Sequence, residues 1–323
     1  MPSARARGGE LPSGEPPATQ TRGPAMSCRS EPSGVSASEH DGEAEALRRA
    51  LEESLRTSAS EPAPKTHAED VRGNLGPIEP LDSLREEFRF NAAFGAKVRR
   101  LEEEGYCGWR RVRGDGNCFY RALGFGLAES LAAAPTVNRV PWATRLAAEV
   151  AAVRPEEAEL AAHHELLSWL DVFSSACEGD VQEHLLMVSE PGSSLDLALI
   201  RALRLVTGRF IERHASDDEV GGGISFDVIC MAQGYAGAGD FCRGVVYPMG
   251  IEAESLVLAA LPKALDMSLR VVFLDRSEGH DFSCEYGGEH APGREQPRVH
   301  LQLRPGHYDL LYVPDCHGRS AEG

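Results

Sequence analysis

Large apolar side chains are sparse at the start of the chain and dense later, and that contrast divides it. Residues 1–41 are rich in Pro, Gly, Ser and Arg. Such a segment cannot bury enough surface to offset its ordering entropy, so it is predicted to be disordered. Residues 58–79 repeat that composition, as in Ser58-Ala59-Ser60-Glu61-Pro62-Ala63-Pro64, and read as a linker. Between them Leu47, Ala50, Leu51, Ser54 and Leu55 fall at i, i+3, i+4, i+7 and i+8, which predicts one amphipathic helix over 42–57. Glu43 and Glu45 open that helix and Arg56 closes it, in the sense the macrodipole favours. A single helix this short is marginal in water, so it is expected to stabilise on a partner or to dock on its own domain.

From residue 80 to 314 the apolar positions are dense enough for a core. Leu81 to Glu104 shows helical spacing, and a helix should follow Cys118 with Phe119, Ala122, Leu123 and Leu127 on one face. Several helices should fill 142–214, with a break at Gly221-Gly222-Gly223. Strands come late: 269–274, 299–303 and 308–312. The last two are joined by a short Arg-Pro-Gly-His link, a hairpin signal. Helices first and strands late predict an α+β domain with an antiparallel sheet element. Residues 315–323 are left as a tail.

Composition narrows the function classes. Hydrophobic residues are 42% of the 323, and the formal net charge is −17. That charge argues against nucleic acid or an anionic membrane as partner. No run of about 18 apolar residues is present, and the N-terminus lacks the apolar stretch of a secretory signal. The eight cysteines stand at 28, 107, 118, 177, 230, 242, 284 and 316, with no CxxC pair. In a chain this long they read as reduced thiols, which predicts a cytoplasmic or nuclear protein.

One cysteine has a distinctive setting. In Asp115-Gly116-Asn117-Cys118-Phe119-Tyr120-Arg121, Cys118 follows a tight polar turn at a predicted helix start. A hydrolytic cysteine must be a thiolate, and a helix N-terminus favours negative charge there. Backbone N–H groups of the same turn could face a tetrahedral oxyanion. A structural cysteine after an ordinary turn would read the same way, taken alone. The second segment, Arg304-Pro305-Gly306-His307-Tyr308-Asp309, supplies a candidate base. His307 sits at the mouth of the hairpin, and Asp309, two residues on, shares its strand face. A carboxylate on one ring nitrogen fixes the tautomer and leaves the other for a thiol. A turn histidine with a hydrogen-bonded neighbour is the plainer alternative. Cys284, His280 and His290 have no regular metal-ligand spacing, so no metal is expected.

These two segments resemble the signature blocks of the OTU deubiquitinases, with the otubain branch the closest fit. The likeness extends through Pro80-Leu81, Tyr247-Pro248-Met249 and Phe273-Leu274-Asp275, over roughly residues 80–314. The resemblance implies a papain-like α+β cysteine isopeptidase with a helical subdomain and a small, mostly antiparallel sheet, acting without a metal or other cofactor. It implies Cys118 as nucleophile, His307 as general base, Asp309 as its orienting acid, and Asp115 as part of the catalytic turn. Ubiquitin and polyubiquitin are the implied partners. Ubiquitin-conjugating enzymes are added because otubain-like domains also act by holding them, which leaves a non-catalytic regulator as the rival reading. The 42–57 helix resembles a ubiquitin-interacting motif. Small Ala50 would let an apolar patch approach between Leu47 and Leu51, with Ser54 at the rim. Two features depart from the family pattern. Pro262 falls inside an expected helix, which it should kink or shorten, and Gly221-Gly222-Gly223 enters a loop that shapes the ubiquitin-facing surface.

Overall fold

A computed structural model of the protein describes residues 73–134, 136–152, 157, 160–176, 178–190, 193–218, 223–275, 283–287 and 296–314. The 42–57 helix, the 1–41 segment and the 315–323 tail therefore lie outside the described residues, as do Gly221 and Gly222.

The chain enters through strand β1 (Leu75–Pro80), helices α1 (Leu81–Glu87) and α2 (Ala92–Glu103), and strand β2 (Gly108–Val112). Helix α3 (Cys118–Ala133) follows at once. Next come α4 (Thr136–Ala151), α5 (Leu160–Ser175), α6 (Glu178–Ser189) and α7 (Ser194–Arg213). Short helices α8 (Phe226–Ala232) and α9 (Ala238–Phe241) run into a π-helical turn, Cys242–Val246. Helix α10 (Ser255–Leu265) leads to β3 (Ser268–Phe273), β4 (Ser283–Gly287), β5 (Arg298–Arg304) and β6 (His307–Tyr312). The strand order is β1-β2-β6-β5-β3-β4. Only β3 against β5 is parallel; the other pairs are antiparallel. This is the expected α+β class.

The sheet separates two cores. On one face, α3 to α10 pack a large apolar mass against Val299, Leu301, Tyr308 and Leu310. On the other, α1 and α2 cover Trp109, Val272 and Leu311 with Leu81, Leu84, Phe94, Val98 and Leu101. Helix α3 is the central element of the large core. Phe119, Ala122, Leu123 and Leu127 are buried as expected, but so is every residue from Cys118 to Ala128.

One expectation needs correction, and two further features add to the picture. Residues 75–79, read as the end of a linker, belong to β1, so the domain starts before Pro80. An edge strand accommodates proline because one side of its ladder needs no donor, and β1 is that edge. Strands β2 and β4 were also unforeseen. Gly108-Trp109-Arg110-Arg111-Val112 carries two charges at its centre, and Ser283–Gly287 is only five residues long. Pro262, expected to kink or shorten its helix, lies inside α10. Helix α10 runs one turn past it and closes at Asp266, whose φ of 53° is left-handed.

Candidate active site

The sheet order brings the two signature segments together. Strand β2 lies beside β6, pairing Arg110 with Leu310. The chain leaves β2 at Val112 and reaches Cys118 through the 115–117 turn. Strand β6 begins at His307. Two segments nearly 190 residues apart in sequence thus meet at one end of two neighbouring interior strands.

Cys118 is the first residue of α3 and is 3% exposed. Its N–H is among the first four of the helix, which have no intrahelical carbonyl to meet. Gly116, at φ +77°, lets the chain turn sharply into the helix. The Asp115 carboxylate accepts from the Asn117 N–H (3.0 Å) and from both Arg121 Nη atoms (2.8 and 2.9 Å). Burial alone would raise the Asp115 pKa, but the Arg121 and Asn117 bonds outweigh it and hold the carboxyl below its usual range. Arg121 also donates to Asp196 of α7 through Nε and Nη2 at 2.9 Å. The turn is thereby pinned to a helix 75 residues away. The sequence offered the turn's N–H groups as oxyanion donors. Asn117's is already taken by Asp115, which leaves the Cys118 N–H as the turn's free helical donor.

His307 and Asp309 lie on one strand face, with Nε2 3.0 Å from Asp309 Oδ1. Cys118 interacts with the same imidazole and favours its charged form. With Nε2 committed to the acid, Nδ1 is the nitrogen left for the thiol. Burial works against a charged imidazole, but Asp309 and Cys118 together raise its pKa from 6.5 to about 10. That favours a protonated histidine at neutral pH.

Asp309 is fully buried. Besides His307 it accepts from the Val112 N–H (2.8 Å), the Gln302 amide (3.2 Å) and an Arg304 Nη. Burial pushes its pKa up, yet the Arg304 guanidinium, His307 and the Val112 N–H bring it down to about 2. Arg304 is held in turn by Glu87 of α1 (3.1 Å).

All four predicted site residues, Asp115, Cys118, His307 and Asp309, therefore converge. The ubiquitin-interacting positions Leu47, Ala50, Leu51 and Ser54 lie outside the described residues. Sequence reasoning missed the supports: Gln302, Arg304, Arg121 and Asp196. Hairpin register would have found the first two, since Gln302 pairs with Asp309 and Arg304 with His307. Nothing local signals the others.

Comparisons with known proteins identify the family. The family model described as "Peptidase C65 Otubain" matches residues 67–313. The OVARIAN TUMOR DOMAIN-containing deubiquitinating enzyme 1 of Arabidopsis thaliana is 28% identical over 266 residues, 75% of this chain and 82% of that protein. Human ubiquitin thioesterase OTUB2 is 28% identical over 240 residues, 70% of this chain and 90% of that protein. A solved ceOTUB1–ubiquitin aldehyde–UBC13~Ub complex shares the fold at a TM-score of 0.58 and 24% identity, covering 76% of this chain and 96% of that one. A family match spanning the whole sheet and every helix described here makes this chain a member of the peptidase C65 otubain family.

Proposed function

We propose that this protein is a cysteine-type deubiquitinase that hydrolyses isopeptide bonds in ubiquitin conjugates and polyubiquitin. The observation that carries this is Cys118 at the N-terminus of a buried helix, interacting with a His307 imidazole that is hydrogen-bonded to buried Asp309. The Cys118 thiolate attacks the isopeptide carbonyl carbon, and the carbonyl electrons move onto oxygen. That oxyanion faces the Cys118 N–H. Collapse expels the lysine amine, which takes its proton from the His307 imidazolium. His307, now neutral, takes a proton from water as the hydroxide attacks the thioester. Ubiquitin leaves with a free carboxylate, and the thiolate–imidazolium pair returns. Asp309 keeps the ring oriented throughout.

A folded ubiquitin also needs a landing surface. Val228 and Met231 on α8, with Ile224 just before it, are 55%, 55% and 50% exposed. Contiguous exposed apolar residues of this kind mark docking sites, and an apolar patch on ubiquitin suits them. The 42–57 segment adds a second contact as a ubiquitin-interacting motif through Leu47, Ala50, Leu51 and Ser54. Its contact area is small, so its affinity should be weak, on the order of 0.1–1 mM. Tethering would still raise the local ubiquitin concentration.

Wild type and Cys118→Ala are to be incubated with ubiquitin dimers of each linkage. Wild type should cleave at least one and the variant none. Equal cleavage by both, or none by wild type, would sink the proposal. For the helix, labelled ubiquitin is titrated with a 38–60 peptide, and no shift at millimolar peptide removes that claim. A second reading draws on the solved relatives, whose complexes hold ubiquitin-charged conjugating enzymes. This chain would then also act by binding such conjugates, and cellular effects surviving Cys118→Ser but not loss of Leu47 and Ala50 would make binding its main role.

A further inference from the structure

Arg204 is fully buried in α7, and among the described residues no carboxylate hydrogen-bonds its guanidinium. All its acceptors are neutral. Nη1 donates to the Val246 carbonyl (3.0 Å) and, at longer reach, to that of Val245 (3.5 Å). Nη2 donates to the Gly116 carbonyl (3.1 Å), Asn117 Oδ1 (2.9 Å) and the Ile251 carbonyl (2.6 Å). One planar cation thus joins the end of the π-helical turn, the 250–251 segment and the turn before Cys118. Its face lies 4.2 Å from the Tyr120 ring centre. Burying a guanidinium without a counter-charge is costly unless its donors are filled, and here most are filled by backbone.

The bonds restrain consecutive peptides. The Gly116–Asn117 peptide is tied at both ends: its carbonyl to Arg204, its N–H to Asp115. The Asn117 carbonyl accepts from the Arg121 N–H (2.9 Å), which sets the direction of the Cys118 N–H on the same peptide. Asn117 Oδ1 also accepts from the Gly250 N–H (2.8 Å), so the 250–251 segment closes over the turn.

We propose that Arg204 is a positioning residue that locks the 116–118 peptides against the 250–251 segment, so that the Cys118 N–H already faces the oxyanion position before substrate arrives. The proposal rests on the deubiquitinase reading and deepens it. Arg204 touches no reacting atom. It acts by removing the reorganisation that a loose turn would need as negative charge develops.

The test compares two reactions of one sulfur. Turnover of a ubiquitin C-terminal amide passes through an oxyanion; alkylation by iodoacetamide is a direct displacement and forms none. In Arg204→Gln, kcat is expected to fall about 10- to 100-fold, with KM and the alkylation rate within about 3-fold. Arg204→Lys should lose nearly as much, because one ammonium cannot bridge both segments as the fork does. Both reactions falling together, or neither falling, overturns the proposal. If thermal melts show that the Arg204 variants do not fold, Asn117→Ala takes their place. It removes one acceptor of Nη2 and must show the same split, at about 10-fold. Wild type failing to turn over the ubiquitin amide would sink the deubiquitinase reading; wild-type turnover without a split in the variants sinks this inference alone.

Discussion

On the His307 side of the site, side-chain support is local. Asp309 is two residues from His307, Arg304 is five residues from Asp309, and Gln302 is seven. The remaining donor, Val112, comes from the adjoining strand. On the Cys118 side, support comes from afar. Asp196 reaches Arg121 across 75 residues, Arg204 reaches Gly116 across 88, and Gly250 reaches Asn117 across 133. A strand pair fixes a side chain by register alone, because residues opposite each other share a face. A helix start has no such partner, so its geometry has to be imposed by buried polar groups from elsewhere. The base is thus held by local pairing and the nucleophile by tertiary structure.

The largest test of this contrast is Asp309→Asn. It removes the charge that orients and protonates His307 while keeping the shape. We expect kcat/KM to fall by roughly 10²- to 10⁴-fold. The pH profile should change as well. His307 is raised from 6.5 to about 10, so the stability it contributes is fully present below its unfolded value of 6.5 and lost as pH rises through about 10. Asp309 is lowered to about 2, so its contribution is present above 3.8 and lost as pH falls through about 2. In the variant the alkaline limb of kcat/KM should move down from about 10 towards 6.5. A limb that stays put would mean that Asp309 is not the main partner of the imidazole.

The same contrast explains what could be read from the chain in advance. His307 and Asp309 were legible because strand alternation is a period-two rule confined to neighbouring residues. Cys118 was legible because a polar turn before an apolar run announces a helix start. Arg121, Asp196 and Arg204 were not, since a charge within a helical pattern ordinarily marks a solvated face. Here α7 buries Asp196 and Arg204 along with its apolar residues. Helix α3 posed a related problem. It is buried nearly all round, so periodicity could place it but could not say which side faces the sheet. Strand β1 stayed hidden because Gly and Pro read as loop until the edge of a sheet gives them a place.

Next in size is Gly116→Ala. Gly116 has φ +77°, and a Cβ there would lie 2.0 Å from the Gly250 carbonyl oxygen. Both partners are backbone, so the turn itself must move. Turnover should drop by about 100-fold, in line with the loss of an oxyanion donor. Iodoacetamide alkylation should survive in the folded fraction. Retention of near wild-type turnover would show that the turn is less tightly specified than the contacts imply.

A smaller effect, on stability rather than chemistry, is expected for Asp196→Asn. The side chains of Asp196 and Arg121 are 4% and 2% exposed. Losing one partner of a buried pair leaves a charge poorly matched, at a cost of about 3 kcal/mol. Asp115 still holds Arg121, which keeps the loss at the low end of such changes. The denaturation midpoint should fall, while kcat per folded molecule changes little. A large kcat loss at unchanged stability would mean that α7 acts on the chemistry through Asp196 as well as through Arg204.

Gly306→Ala gives the smallest expected effect and the sharpest control. Gly306 has φ +70°, close to that of Gly116, and lies immediately before His307. The nearest atom to a Cβ there is Glu252 Oε1 at 3.7 Å, an ordinary contact made by an exposed side chain. Alanine therefore meets only the backbone penalty of a left-handed residue, about 1–2 kcal/mol. Strand pairing of Arg304 with His307 continues to place the imidazole. Turnover of the folded enzyme should stay within about 3-fold of wild type, against the 100-fold loss expected at Gly116. The two alanines share a dihedral cost and differ in what surrounds them. Equal losses at both positions would show that backbone strain, rather than the close contact with Gly250, governs the site. Unequal losses in the expected order would place the tightest constraint on the nucleophile's turn.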